Sequence, residues 1–190
     1  MFIQKKKYYL IIESIKDINL NNIKKRNKFI IIYRNKKELD KKEDLKRFRK
    51  NCKLRSIDFF IANNLNLAVN LNSDGIYLSS YNKSFRALSQ KKTSFHIIGS
   101  AHNLKEVYHK KKQGCKYILF SKLFKVSYKP HIQCLGVIKF NNFSKSICKE
   151  IIPLGGINLS NINKLKMVQS EGLALMTEIK KKPAISSRLF

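Results

Sequence analysis

The chain has 190 residues, 43% of them apolar, and a formal net charge of +28 at pH 7. That length accommodates one domain but is lean for a (β/α)₈ barrel, which usually needs about 250 residues. No apolar run approaches the roughly 18 residues of a membrane span, and Cys52, Cys115, Cys134 and Cys148 form neither a C-x-x-C pair nor a zinc spacing, so thiols in a reducing, cytoplasmic setting are expected rather than a zinc site or a disulfide framework.

The apolar segment 8–12 predicts the first strand; Glu13 interrupts it, which leaves it too short for a signal segment. Segment 29–33 predicts the second strand, and the polar stretch 37–50 has helical spacing. Strands three and four are expected at 58–62 and 75–78, with one short helical turn at 65–70 between them. Segment 79–94 has weak periodicity and predicts a shortened or irregular fourth helix. The fifth strand is expected at 95–98. A helix follows at 104–113, with Asn103 as its cap, Glu106 three residues on and Gly114 as its stop. Strands six, seven and eight are expected at 116–120, 151–154 and 173–176, with a helix at 160–169 opened by Leu159-Ser160-Asn161. The strands read as near-continuous apolar runs, as parallel strands buried on both faces do. Strands alternating with helices imply a parallel sheet, open or closed; eight of them favour closure into a single TIM barrel over residues 1–190.

Barrel sites lie at the carboxyl ends of the strands. Arg34 and Lys36 follow strand two, Asn63 strand three, Ser79, Ser80 and Asn82 strand four, and Ser100 and His102 strand five. Strand six leads to Lys122 and Lys129, strand seven to Gly155 and Gly156, and strand eight to Thr177 and Glu178. This face is cationic and rich in amides, with Glu13 and Glu178 its only acids, whereas Asp58 and Asp74 fall at amino ends. Such a face suits an anion better than a hard cation. Gly155-Gly156 before a helix is a phosphate-binding arrangement, although a plain tight turn also needs glycine. Arg34 and Lys36 leave the strand on one side and can grip one phosphate group. His102 and Lys122 are the candidates for proton transfer; the competing readings are a surface histidine and a lysine that reaches water. His96, His109 and His131 read as strand, helix-surface and loop residues.

The positive charge admits a polyanionic partner. Its lysines are spread from end to end, however, whereas a dedicated nucleic-acid domain concentrates charge on one face. Specific nucleic-acid binding is therefore not expected, nor is a membrane partner.

Several stretches, in order, resemble the thiamine phosphate synthase/TenI family. Pro153-Leu154-Gly155-Gly156-Ile157, followed by Asn161, is similar to that family's Gly-Gly-Ile turn before helix seven. Tyr33-Arg34-Asn35-Lys36 resembles its Arg-x-Lys segment, and segments 62–68 and 73–78 its connection between strands three and four. Ile98-Gly99-Ser100-Ala101-His102-Asn103 resembles its Gly, Ser, small, His pattern with one residue fewer, and segment 117–129 its strand-six loop with a terminal lysine. The resemblance implies a (β/α)₈ barrel. In its synthase branch, an aminopyrimidine diphosphate is joined to a thiazole phosphate with Mg²⁺. Arg34 and Lys36 would grip the diphosphate with Ser100, Lys129 and Asn63 assisting, and Gly155, Gly156 and Thr177 would hold the thiazole phosphate. The other branch tautomerises a thiazole carboxylate phosphate without metal.

The departures bear on chemistry. The two magnesium aspartates of the synthase branch correspond to Asn63 and Asn82, and Lys122 stands where the tautomerase branch has its histidine. An amide oxygen can ligate Mg²⁺ but brings no charge to offset it. No cofactor is therefore expected, and Mg²⁺ only if Asn63 and Asn82 still support it. The expected ligand is a phosphorylated thiazole or a related thiamine-pathway phosphate ester. The alternatives are a metal-free isomerase and a non-catalytic phosphate-ligand-binding protein.

Overall fold

The computed structural model describes residues 5–23, 26–35, 40–90, 94–126, 131, 133–147, 150–158 and 160–176. Eight parallel strands close into a barrel in sequence order: β1 (Lys7–Ile12), β2 (Phe29–Tyr33), β3 (Asp58–Ala62), β4 (Gly75–Leu78), β5 (His96–Ala101), β6 (Tyr117–Ser121), β7 (Ile151–Leu154) and β8 (Gly172–Leu175). Closure is made where β8 returns to β1, with Tyr8 opposite Leu173 and Leu10 opposite Leu175. Strand periodicity explains the continuous apolar runs. Tyr9 and Ile11 join Ile32, Phe60, Tyr77 and Leu119 inside the barrel. Tyr8, Leu10 and Ile12 belong to the layer between the strands and the outer helices, with Phe29, Leu45 and Phe140.

Among the described residues, four α-helices lie outside the barrel: α1 (Lys42–Leu54), α2 (Leu65–Asn70), α3 (Leu104–Lys112) and α4 (Gly136–Ile147). The first three end in the same way. In each, a residue at positive φ lets its own amide and the next one reach back to the last turn, the Schellman arrangement. After α3, Gly114 (φ 74) donates to Lys111 O at 2.9 Å and Cys115 to Lys110 O at 3.1 Å. Ser56 (φ 52) and Asn72 (φ 47) take that role after α1 and α2. The Asn103 side chain caps α3 on Glu106 N, and the Glu106 carboxylate returns to His102 N at 2.8 Å, one residue before the cap.

Three expectations need correction. Helix α1 starts at Lys42 rather than 37 and runs on to Leu54. Residues 37–39 lie outside the described residues, and Asp40 is taken elsewhere: it accepts from Tyr33 Oη, Ser14 Oγ and Ile15 N. Helix α4 was not expected at all. Its strand-like and cap-poor residues hide an apolar stripe at Val137, Phe140, Phe143 and Ile147, which packs on the core. The helix expected at 160–169 is instead a short 3₁₀ segment, Ile162–Met167.

The irregular connection expected after β4 is present, with a 3₁₀ turn at Arg86–Ser89. What holds it is α3. Lys110, fully buried, donates to Asn82 O at 2.7 Å and Gln113 Oε1 at 2.8 Å, and the buried Gln113 amide donates to Ser84 O at 2.7 Å. Burial pushes the Lys110 ammonium down to about 8. No helix among the described residues is long and apolar enough to cross a membrane.

Candidate active site at the carboxyl ends of the strands

Arg34 leaves β2 with its amide bonded to Ile12 O at 2.8 Å, which fixes its backbone beside β1. Its guanidinium acts on the Tyr77 hydroxyl, which is also hydrogen-bonded to Ser100. Burial raises the Tyr77 hydroxyl above its ordinary value, and Ser100 and Arg34 pull it part of the way back. Arg34, Tyr77 and Ser100 thus form one cluster from β2, β4 and β5. Within it Arg34 Nε is shielded from solvent and has no hydrogen-bond partner among the described residues.

Lys122 follows directly on β6, and its Nζ is likewise shielded without a partner among the described residues. It packs beside the glycine turn: a Cβ on Gly155 would lie 3.5 Å from Lys122 Cα and 3.6 Å from Lys122 Cβ. Leu123 N donates to Leu154 O at 3.0 Å and Phe124 N to Gly155 O at 3.0 Å, so the two connections continue the strand pairing past the barrel rim. Gly155 and Gly156 have φ of 97 and 70, where side chains are strained. A Cβ on Gly156 would meet the Phe124 and Lys125 carbonyl oxygens at 2.4 Å. The Asn161 amide holds the turn by donating to Gly156 O at 2.7 Å.

Two features of this geometry bear on the phosphate reading of the turn. A helix dipole behind Gly155-Gly156 contributes little, because a six-residue 3₁₀ segment stands where the helix was expected. Gly156 is also required by packing against segment 124–125, so a side chain there disrupts the loop whether or not a phosphate binds.

Asn63 and Asn82 do come together, but as partners of each other. Asn63, at φ 60, accepts through Oδ1 from Ser79 N at 3.0 Å, Ser79 Oγ at 2.9 Å and Asn82 Nδ2 at 3.1 Å. Its amide nitrogen donates to Tyr81 Oη at 3.1 Å. Asn82 Oδ1 accepts from Ser84 N at 2.9 Å. Both amide oxygens are therefore engaged, and three donors saturate the one on Asn63. These residues do not fit a magnesium ion, since a cation would have to displace the donors and would gain no charge in return. Among the described residues no cluster of three or more His, Cys, Asp or Glu could hold a metal.

His102 is exposed at the rim, on the loop between β5 and α3. Lys36, Lys129, Thr177 and Glu178 lie outside the described residues. The contribution that sequence reasoning missed is Tyr77, an inward-facing core aromatic whose hydroxyl joins Ser100; its period-two place on β4 was the available signal. Lys110 was missed as well, because a lysine near a helix end reads as solvated. At the opposite end of the barrel a cleft of about 290 Å³ is lined by Lys7, Arg49, Asp58 and Asp74. Two of its cations are paired with its carboxylates, Arg49 with Asp74 at 2.7 Å and Lys7 with Asp58 at 3.5 Å.

Comparison with known proteins bears on the family and the fold. The family model described as thiamine monophosphate synthase matches residues 9–179. A thiamine-phosphate synthase of Prochlorococcus marinus is 33% identical over 134 residues, 67% of this chain and 37% of the relative. The chain thus spans little more than a third of that relative's length. A thiamine-phosphate synthase of Clostridioides difficile is 28% identical over 148 residues, 74% of this chain and 70% of the relative. In fold, the chain is similar to the thiamine phosphate pyrophosphorylase of Pyrococcus furiosus, with a TM-score of 0.73, 17% identity, and coverage of 97% of this chain and 92% of that one. With its closed barrel, its Gly155-Gly156 turn and a family match that runs from β1 beyond β8, the chain belongs to the thiamine monophosphate synthase/TenI family.

Proposed function

We propose that this chain is a thiamine-pathway barrel that binds a phosphorylated thiazole, or a closely related phosphate ester, at the carboxyl ends of its strands. The observation that carries this reading is the pair of shielded cationic atoms, Arg34 Nε and Lys122 Nζ, which have no partner among the described residues. A cationic atom shielded from water without a partner is unfavourable, and an anionic ligand offsets that cost. Gly155-Gly156 adds backbone amides at positive φ beside Lys122, the kind of concavity in which backbone N–H groups meet a phosphate. Family membership supports the choice of ligand.

Arg34 and Lys122 are the described residues assigned to the phosphate, with Ser100 and Tyr77 positioning Arg34. Lys36, Lys129 and Thr177 are carried in this reading by the family resemblance alone. Lys122, rather than the exposed His102, is the group given contact with the ligand. No step in this reading runs through Mg²⁺.

A melting scan with thiazole phosphate tests the proposal. At about 100 times its dissociation constant a ligand stabilises by about 2.7 kcal/mol, roughly 5–10 °C for a domain of this size. Arg34→Met and Lys122→Met should each abolish most of the shift. No shift from any phosphate ester at millimolar concentration would show that the site is misassigned.

A further inference from the structure

We infer that Asn63 and Asn82 form a neutral clasp that organises this rim of the barrel without any divalent cation. The residues at the two positions where the family resemblance implies metal ligands bond to each other. Asn63 Oδ1 gathers Ser79 N, Ser79 Oγ and Asn82 Nδ2, so the end of β3 is tied to the connection after β4 at three points. The clasp continues outward. The Asn82 carbonyl accepts from Lys110 Nζ at 2.7 Å and Gln113 Nε2 at 3.2 Å, both buried residues of α3 or its cap. One connected set of hydrogen bonds thus runs from β3 through the β4 connection to α3, the helix that follows Ser100 and His102.

A carboxylate pair at these positions would repel itself unless a cation lay between the two. An amide pair has the opposite character, since one amide donates to the other and the arrangement is complete in itself. The exchange of aspartate for asparagine therefore replaces a charge-balanced metal bridge with a direct hydrogen bond. Lys110 joins the same set through two carbonyl acceptors, the Asn82 backbone and the Gln113 side chain.

The experiment has two arms, and only the second rests on the phosphate-binding reading. In the first, wild type and Asn63→Ala are melted in EDTA and in millimolar Mg²⁺ with no other ligand. Asn63→Ala should melt several degrees lower in both buffers, Asn63→Asp, which keeps the acceptor, should recover most of that loss in both, and Mg²⁺ should leave wild type unmoved. A rise in the wild-type melting temperature with Mg²⁺ overturns the inference. In the second arm, thiazole phosphate is titrated calorimetrically into wild type in the same two buffers. The dissociation constants should agree within about threefold, and a gain of about tenfold or more with Mg²⁺ overturns the inference. If thiazole phosphate binds in neither buffer, the phosphate-binding proposal fails while the first arm still decides the clasp.

Discussion

The two ends of this barrel treat charge in opposite ways. At the amino ends of the strands cations meet carboxylates: Lys6 with Glu171 at 2.7 Å, Lys7 with Asp58 at 3.5 Å, and Arg49 with Asp74 at 2.7 Å. At the carboxyl ends, Asp17 and Asp40 accept hydrogen bonds from neighbouring amides and hydroxyls. Asp17 Oδ2 accepts from Glu13 N and Ser14 N, and Asp40 from Ile15 N and Tyr33 Oη. Arg34 Nε and Lys122 Nζ are left there with no partner among the described residues. In a barrel the amino end serves stability and the carboxyl end serves chemistry. Among the described residues, the difference lies in which cationic atoms find a partner.

The largest effect should come from breaking a pair at the amino end. Asp74 accepts from Phe59 N at 2.7 Å as well as from Arg49, whose side chain is 11% exposed. Asp74→Ala would strand a buried guanidinium and a buried amide together, and chemical denaturation should register a loss of about 2–4 kcal/mol. Asp74→Asn keeps an acceptor and should lose clearly less. Equal losses from the two substitutions would mean that hydrogen bonding does not drive the pairing.

The same operation at the carboxyl end should have the reverse sign for stability. Lys122→Met removes a cation that nothing described neutralises, so the unliganded protein should become more stable, by about 1 kcal/mol. Phosphate affinity should fall in the same variant, by about 1.5–3 kcal/mol, the range for hydrogen bonds to charged groups. A stable variant with full affinity would erase the contrast between the two ends.

The buried lysine between them sharpens the comparison through pH. Lys110 loses its proton at about 8 in the folded protein, against 10.5 in its ordinary state. Below about 8 both states hold the proton and the burial penalty is fully present. From there to about 10.5 the unfolded chain binds more protons than the folded one, so this contribution to stability rises with pH. Wild type minus Lys110→Met, measured by denaturation across that window, should show the rise; a flat difference would mean that the ammonium is as well solvated as an exposed one.

The smallest effect is expected at His102. Its imidazole is exposed, and what orders the loop is its backbone amide on Glu106. His102→Ala should change stability by no more than about 0.5 kcal/mol. Glu106→Ala, by contrast, should cost about 1 kcal/mol through the cap it completes. Both are read from the same denaturation series, and a large loss at His102 would assign its ring a structural contact.

What the sequence determined by itself is the barrel. A strand buried on both faces must be apolar at every position, so 29–33 and 151–154 are visible without any partner. Gly114 marks a helix end and Gly155-Gly156 a turn because few other residues tolerate their φ. Helix α1 was misplaced because its start depends on Asp40 finding Ser14 and Tyr33, and its stop uses Ser56, which carries no glycine signal. Only the tertiary structure decided which side chains meet at the carboxyl ends of the strands. Asn63 and Asn82 are 19 residues apart, and nothing local states that one amide donates to the other. Among 40 lysines and arginines, composition cannot tell that Arg34 and Lys122 end shielded and unpaired among the described residues while Lys110 ends bonded to a carbonyl. Backbone conformation and apolar patterning are properties of neighbours along the chain. Charge pairing and metal fitness depend on groups that meet only when the barrel closes.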